Sequence, residues 1–190
     1  MTRTAYPATP TARLTSSAAP TLRSRVILAL SIFFASGAGD PTPPDGNGSR
    51  FWGTWSLVSW EAREADGTVT HPFGKDAEGR LMYDPGGHMM VQLMQRGRPA
   101  FASNDRLAGT PAEVKAAFEG SHSYYGTYEV DDKKGIVTHH IQGCSFPNLT
   151  GTDQERFFEF RDGRLLLATP PMVTGGKERK HVLVWKKESR

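Results

Sequence analysis

The feature that most constrains the fold of this chain is the alternation of strand-like segments with tight-turn sequences after Phe51. Asp66-Gly67, Pro85-Gly86-Gly87 and Asp162-Gly163 each separate two segments rich in β-branched and aromatic residues, as in β-hairpins. We predict strands at residues 51–64, 68–73, 78–83, 88–95, 123–130, 136–143, 154–160, 164–169 and 180–187. Roughly eight or nine short strands in a single domain favour an all-β antiparallel sandwich or closed barrel.

One short helix is expected to interrupt the strands. Thr110 and Glu113 form a capping-box sequence, Pro111 occupies the first helical position, and Gly120 is suited to end the segment. Strands and helices do not alternate elsewhere, and no glycine-rich phosphate loop is present in the sequence. A nucleotide-binding α/β fold is therefore not expected.

The first fifty residues are expected to lie outside the folded domain, which we place at residues 51–190. Residues 1–25 contain no acidic residue, residues 26–35 are apolar and small residues follow, which is typical of a secretory signal peptide. The apolar run is about half the length of a membrane-spanning helix, so no membrane span is expected. Residues 40–49 are typical of a Pro/Gly linker. We expect a secreted or periplasmic protein; a cytoplasmic protein with a terminal extension is the alternative.

The charge and the cysteine content of the chain argue against nucleic-acid binding and against cysteine-based cross-links or metal clusters. Of 23 basic and 20 acidic residues, four and two respectively lie in residues 1–45, so the rest of the chain is almost neutral. We therefore expect no nucleic-acid partner. Cys144 is the only cysteine in the sequence, which excludes an intrachain disulfide and a cysteine-based metal cluster. We expect neither a metal site nor a cofactor.

Several sequence segments carry a resemblance to a known family. Gly53-Thr54-Trp55 matches the Gly-x-Trp motif with which lipocalin sequences open. Longer matches lie at residues 52–63, 66–74, 87–104, 136–158 and 169–171. Together they resemble the bacterial and fungal lipocalin-like domain family over nearly all of the chain after Arg50.

This resemblance implies an antiparallel lipocalin-like barrel of about eight or nine strands with one short helix. It implies that Trp55 packs as a plug across the closed end. In lipocalins a basic residue of the last strand covers this tryptophan, and Arg179, Lys180 and Lys186 are the candidates here.

The alternation of side chains predicts which residues of the fourth predicted strand line a cavity. His88, Met90 and Gln92 share one face of this strand, which suits an apolar wall with an amide to orient a polar group. The opposite face would then pack beneath the helix. The alternative is that the two faces of this strand are ordinary core and surface.

Four further residues are candidates for contact with a ligand. Tyr124 and Tyr128 share a face and combine apolar area with a hydroxyl group. His139 and His140 are adjacent and point to opposite faces, so they are not expected to chelate one metal, and His139 is the inward candidate. Arg156 shares a face with two phenylalanines and is a candidate partner for an anionic group. A purely structural role is the alternative for each residue.

These features predict a protein that binds a small hydrophobic or acidic amphipathic molecule in its barrel. The alternative is a non-metal isomerase, cyclase or dehydratase acting on a small terpenoid- or polyketide-like substrate, which the resemblance also allows, with His139 or Arg156 polarising the substrate. A third hypothesis is a barrel filled by its own side chains. No nucleophilic triad or pair of carboxylates is recognisable, so no catalytic residue is assigned. The volume of the interior distinguishes a filled barrel from the other two.

Overall fold

The computed structural model describes residues 48–189, which form ten strands and one α-helix. The predicted signal peptide and most of the predicted linker lie in residues 1–47, outside the described residues, and export stays a prediction. The elements are β1 (Gly53–Arg63), β2 (Val69–Thr70), β3 (Glu78–Tyr83), β4 (His88–Met94), α1 (Pro111–Glu119), β5 (Ser121–Asp131), β6 (Ile136–Cys144), β7 (Asp153–Arg161), β8 (Arg164–Ala168), β9 (Met172–Thr174) and β10 (Lys177–Lys187).

Eight of these strands close into an antiparallel barrel. Neighbouring strands pair in the order β1-β3-β4-β5-β6-β7-β8-β10, and β10 pairs with β1 from Trp55↔Lys187 to Arg63↔Lys180. The short strands β2 and β9 extend the sheet beside the end of β1 and the start of β10. The predicted antiparallel lipocalin-like barrel with one short helix is therefore confirmed.

The hairpin between β7 and β8 shows how local sequence determines the connections. Arg161 pairs with Arg164, which leaves Asp162 and Gly163 as a two-residue loop. Both loop residues have positive φ, 50° for Asp162 and 68° for Gly163. This is the backbone of a type I′ turn, for which an Asp-Gly sequence is strongly preferred.

Two segments differ from the sequence prediction. The strand expected at residues 68–73 is reduced to β2, because the chain turns before Pro72, which has no backbone N–H for a sheet. Strand β9 was not predicted, since it is short and lies between a proline pair and Gly175-Gly176. It pairs with Lys177–Arg179 and so lengthens β10 beyond the predicted 180–187.

Helix α1 begins and ends where the sequence indicates. The Thr110 hydroxyl accepts a hydrogen bond from the Glu113 N–H, and the Glu113 carboxylate accepts one from the Thr110 N–H. Gly120 follows the last helical residue. None of the residues of α1 is buried, so the helix lies on the outside of the barrel. No helix among residues 48–189 is long and apolar enough to cross a membrane.

Aromatic side chains fill the closed end of the barrel. Phe51 is fully buried and makes edge-on contacts with Tyr83, Phe158 and Phe160 at centroid distances of 5.0–5.3 Å. The indole N–H of Trp55 donates a hydrogen bond to the Phe51 carbonyl oxygen at 2.7 Å. Since Trp55 is 2% exposed, its polar atom is paired within a tightly packed apolar cluster.

The basic residue that covers Trp55 is Lys187, so the three candidates named from the sequence are wrong. The Lys187 ammonium lies 5.3 Å from the centroid of the Trp55 ring. Lys187 is the register partner of Trp55, whereas Lys180 pairs with Arg63 at the other end of the ladder. Lys186 is adjacent to Lys187 on the strand and points to the opposite face. Arg179 forms an ion pair with Glu64.

Replacement of Trp55 by alanine is expected to lower the free energy of unfolding by about 3–5 kcal/mol, because it opens a cavity in the closed end. Chemical denaturation of the variant and the wild-type protein measures this difference. Met82→Ala is the control, since Met82 is 44% exposed on the outer face of β3, and its loss should stay within about 0.5 kcal/mol. A loss below about 1 kcal/mol for Trp55→Ala would contradict a supporting role for this side chain.

Candidate functional site

The end of the barrel opposite the aromatic cluster contains a cavity of about 590 Å³. None of Phe51, Trp55 and Tyr83 contributes to its lining, which is mostly apolar. A volume of roughly 300–1,000 Å³ is typical of sites for small organic ligands. The buried apolar side chains that line it are Phe73, Leu81, Val91, Leu93, Leu167 and Trp185.

A β-bulge in β1 brings Trp60 into this cavity. The pairing of β1 with β10 shifts between Leu57 and Ser59, which leaves Val58 as the extra residue on the outside. Before the bulge, Trp55 and Leu57 face the interior, and after it Trp60 lines the cavity wall. The bulge thus changes which residues of β1 face the interior, from odd-numbered positions before it to even-numbered positions after it.

The prediction that His88, Met90 and Gln92 line the cavity is wrong. All three side chains are exposed on the outer face of β4, whereas Met89, Val91 and Leu93 are each 4% exposed and face the interior. Both faces of this strand carry apolar residues, so alternation alone did not distinguish them. The polar imidazole and amide groups of His88 and Gln92 remain in contact with water when this face points outward.

The other four predicted residues have inward-facing side chains, and three of them line the cavity. Tyr124, His139 and Arg156 contribute to the lining. Tyr128 is 1% exposed but lies outside the cavity, where its hydroxyl donates a hydrogen bond to the Asp84 carbonyl oxygen at 3.0 Å. Contact of any of these residues with a ligand stays a prediction.

A group of three hydrogen-bonded side chains lies at the base of the cavity. The Tyr83 hydroxyl oxygen is 2.6 Å from His139 Nε2, and the Tyr124 hydroxyl oxygen is 3.1 Å from His139 Nδ1. Tyr83 comes from β3, Tyr124 from β5 and His139 from β6. Sequence analysis missed Tyr83, although it shares a face of its strand with Leu81 and could have been found from that alternation.

All three of these groups are uncharged at neutral pH. Burial, with the nearby charge of Arg156 as a second cause, lowers the pKa of His139 well below its usual value. Burial also raises the pKa of Tyr83 well above its usual range. The pKa of Tyr124 is raised by burial as well, although Arg156 opposes this shift. Tyr83, His139 and Tyr124 therefore act as neutral hydrogen-bonding groups.

Arg156 provides a positive charge on the cavity wall. Its Nη1 donates to the Glu155 carbonyl oxygen at 2.7 Å, and no acidic side chain within residues 48–189 forms an ion pair with it. After burial itself, its charge is the next cause that lowers the pKa values of His122 and His181, both of which line the cavity. The cavity thus disfavours additional cations and favours an anion or an electron-rich oxygen.

Hydrogen bonds connect side chains from different strands around the mouth of the cavity. The Trp60 indole N–H donates to His181 Nδ1 at 3.0 Å. Glu64 accepts hydrogen bonds from Lys177 and Arg179, which lower the pKa of its carboxyl group. The outer rim also carries exposed apolar side chains, namely Phe118, Phe146, Met172 and Val173.

The described residues do not bring together a group of metal ligands. No cluster of three or more His, Cys, Asp or Glu side chains suited to a metal ion occurs within residues 48–189. His140 points away from the cavity, and its Nδ1 lies 2.7 Å from Asp153 Oδ1 on the outer surface. Chemically, the site offers an apolar chamber with a few buried hydrogen-bond donors and the guanidinium group of Arg156, whereas that of Arg179 is paired with Glu64.

Acidification is expected to destabilise the fold through His139. The folded protein keeps this imidazole neutral because its pKa is lowered, whereas the unfolded chain binds a proton below about pH 6.5. The unfolded state then binds more protons, so the free energy of unfolding falls as the pH drops from about 6.5, by at most about 1.4 kcal/mol per pH unit for this group. Urea unfolding between about pH 7 and pH 5 measures the slope.

Two histidine variants identify the source of this slope. His139→Gln removes this titrating group and should reduce the slope, even if the variant is less stable at every pH. His122 and His181, whose pKa values burial also lowers, contribute the remaining slope. His88→Gln removes an exposed histidine and should leave the slope unchanged. An equal slope in His139→Gln and the wild-type protein would assign the acid sensitivity to other residues.

Comparison with known proteins agrees with the barrel and its cavity. The family of lipocalin-like domains matches residues 52–188 of the chain. A protein of Aspergillus oryzae (strain ATCC 42149 / RIB 40), named 4'-hydroxy-3'-methoxypropiophenone carrier protein ppsC, is 32% identical over 109 residues. The aligned region covers 54% of this chain and 98% of that protein. The chain belongs to the lipocalin-like domain family.

Proposed function

We propose that the protein is a carrier that binds one small, largely apolar organic molecule inside the barrel. The observation that carries this proposal is the cavity of about 590 Å³, whose lining is mostly apolar. Transfer of an apolar ligand from water to such a chamber is favourable in proportion to the area that it buries. A barrel filled by its own side chains would lack this space.

The similarity to a named carrier supports an aromatic ketone as the class of ligand. The Aspergillus oryzae relative is named for a propiophenone that carries one hydroxyl and one methoxy group. A molecule with a single substituted benzene ring matches the apolar wall formed by Phe73, Leu93 and Leu167. Its few oxygen atoms match the small number of polar groups at the base and on the wall of the cavity.

The state of His139 favours a carrier over the isomerase, cyclase or dehydratase alternative. Both of its ring nitrogens lie within hydrogen-bond distance of tyrosine hydroxyls. A general base needs a free nitrogen near the substrate and a pKa near the working pH, whereas burial lowers the pKa of His139 well below its usual value. His139 therefore serves better as a fixed hydrogen-bonding group than as a proton acceptor.

Purification of the full chain from its host, followed by extraction with organic solvent and mass spectrometry, tests the proposal directly. A single stoichiometric apolar compound is the expected result. Titration with 4'-hydroxy-3'-methoxypropiophenone provides a second test, in which Trp60 and Trp185 report binding through their fluorescence because both line the cavity. Recovery of the compound unchanged after incubation supports a carrier, and its conversion to a product supports an enzyme.

Filling part of the cavity is expected to weaken binding. Val91→Phe adds volume to a side chain that lines the cavity, and we expect affinity to fall about tenfold or more, the equivalent of about 1.4 kcal/mol. Overpacking is expected to lower the free energy of unfolding by about 1–3 kcal/mol. Calorimetric titration with the same propiophenone measures the affinity.

Met90→Phe is the matched control for this substitution. Met90 is the preceding residue of the same strand and is 49% exposed on the outer face. The control should bind as the wild-type protein does. Equal binding by Val91→Phe and Met90→Phe would place the ligand outside the barrel.

Removal of the Arg156 charge is expected to weaken the binding of acidic ligands selectively. A hydrogen bond to a charged group contributes about 1.5–3 kcal/mol, so Arg156→Leu should bind phenylpropanoate about 10- to 150-fold more weakly. Binding of the neutral phenylpropanol should change little. Arg164→Leu removes the same charge from an exposed position outside the cavity and should affect neither ligand. An equal loss for both ligands in Arg156→Leu would make the role of Arg156 structural.

A further inference from the structure

One hydrogen-bond donor in the wall of the cavity has no acceptor. Trp185 is 1% exposed and lines the cavity, and its indole nitrogen Nε1 is buried without a hydrogen-bond partner. Roughly nine in ten buried polar groups in folded proteins are paired. An unpaired N–H beside a cavity therefore indicates that a bound molecule supplies the acceptor.

The hydrogen bonds of Tyr83 determine which nitrogen of His139 carries the proton. Tyr83 is 2% exposed, and its hydroxyl oxygen lies 2.6 Å from His139 Nε2. If Nε2 carried the proton, the Tyr83 hydrogen would be buried without an acceptor. In either tautomer, one of the two tyrosine hydrogens has no acceptor on His139, and only Tyr124 lines the cavity, where a bound molecule can supply one. Tyr83 therefore donates to Nε2, and the neutral ring carries its proton on Nδ1.

This assignment leaves the hydroxyl hydrogen of Tyr124 free. His139 Nδ1–H donates to the Tyr124 oxygen at 3.1 Å, so that oxygen already accepts a hydrogen bond from within the protein. The remaining hydrogen of the hydroxyl then points towards an acceptor elsewhere. Since Tyr124 lines the cavity, that acceptor belongs to a bound molecule.

Donors thus dominate the inner part of the cavity. Trp185 and Tyr124 each offer one hydrogen, and Arg156 offers its guanidinium group on the wall. Among the lining residues that the structure describes, the only carboxylate belongs to Glu119, at the end of α1 near the mouth. An alcohol or amine placed deep in the cavity would bring a further donor to a wall that is already rich in donors.

We propose that the base of the cavity is a site for a neutral carbonyl oxygen, which accepts hydrogen bonds from Tyr124 and Trp185. The inference rests on the proposed carrier function and assigns the residues that bind the carbonyl oxygen of its ligand. A carbonyl oxygen has two lone pairs and no hydrogen, so it can satisfy both donors at once. Tyr83 and His139 are positioning residues, because they orient the Tyr124 hydroxyl without contacting the ligand oxygen.

A pair of ligands that differ only in the carbonyl group tests this site. We expect the full-length protein to bind propiophenone about tenfold or more tightly than propylbenzene, which has the same carbon skeleton and no oxygen, as calorimetric titration would show. Tyr124→Phe should weaken propiophenone binding by about 3- to 10-fold, the equivalent of one neutral hydrogen bond. Its affinity for propylbenzene should not change.

Tyr125→Phe is the matched control, since Tyr125 is the next residue of β5 and is 57% exposed on the outer surface. It should bind both ligands as the wild-type protein does. The inference is overturned if propylbenzene binds as tightly as propiophenone, or if Tyr124→Phe weakens both ligands equally; in either case the carrier function stands. If the wild-type protein binds neither compound, the proposed function fails together with the inference.

The vibration of the bound carbonyl group separates positioning from a structural effect. In complex with the wild-type protein, the C=O stretch of isotope-labelled propiophenone should lie at a lower frequency than in an apolar solvent, because two donors polarise the bond. In Tyr124→Phe, the C=O frequency should rise part of the way back towards its value in the apolar solvent. Tyr83→Phe should also change it, although Tyr83 does not line the cavity. An unchanged frequency in Tyr83→Phe would overturn the assignment of Tyr83 and His139 as positioning residues.

Discussion

A ladder of hydrogen bonds joins β1 to β10, the first and last strands of the barrel, from Trp55↔Lys187 to Arg63↔Lys180. Without this ladder the eight strands would form an open sheet with two unpaired edges. Closure gives the inward side chains of all eight strands a shared interior. The same ladder places Lys187 across Trp55 at one end and brings β9 beside the mouth at the other.

The interior is divided between a packed half and a half that contains the cavity. Phe51 and its aromatic neighbours fill the closed end, whereas the cavity occupies the other end. Aromatic rings provide large apolar areas and rigid shapes, so a few of them can close a barrel of this width. The base of the cavity therefore rests on a well-packed layer, which suits a site that must keep a fixed shape when it is empty.

Tyr83, His139 and Tyr124 lie where these two halves meet. Burial makes charged forms of these side chains unfavourable, and each of them instead satisfies its neighbour by hydrogen bonding. Arg156 strengthens this tendency, since its charge opposes protonation of His139. The result is a neutral, oriented polar group within an apolar chamber. Such an arrangement is better suited to recognising a ligand than to moving protons.

Local chemistry in the sequence determined the turns, the helix and most of the strands. Asp162-Gly163 specifies its turn through the positive φ angles that these residues tolerate, and Thr110 with Glu113 starts α1 through hydrogen bonds only three residues apart. Only the tertiary structure decided which face of β4 points inward, because that strand carries apolar residues on both faces. It also decided that Tyr83 meets His139, 56 residues away. Contacts across the barrel depend on strand register, and the bulge at Val58 changes which residues of β1 face inward in a way that alternation in the sequence does not show.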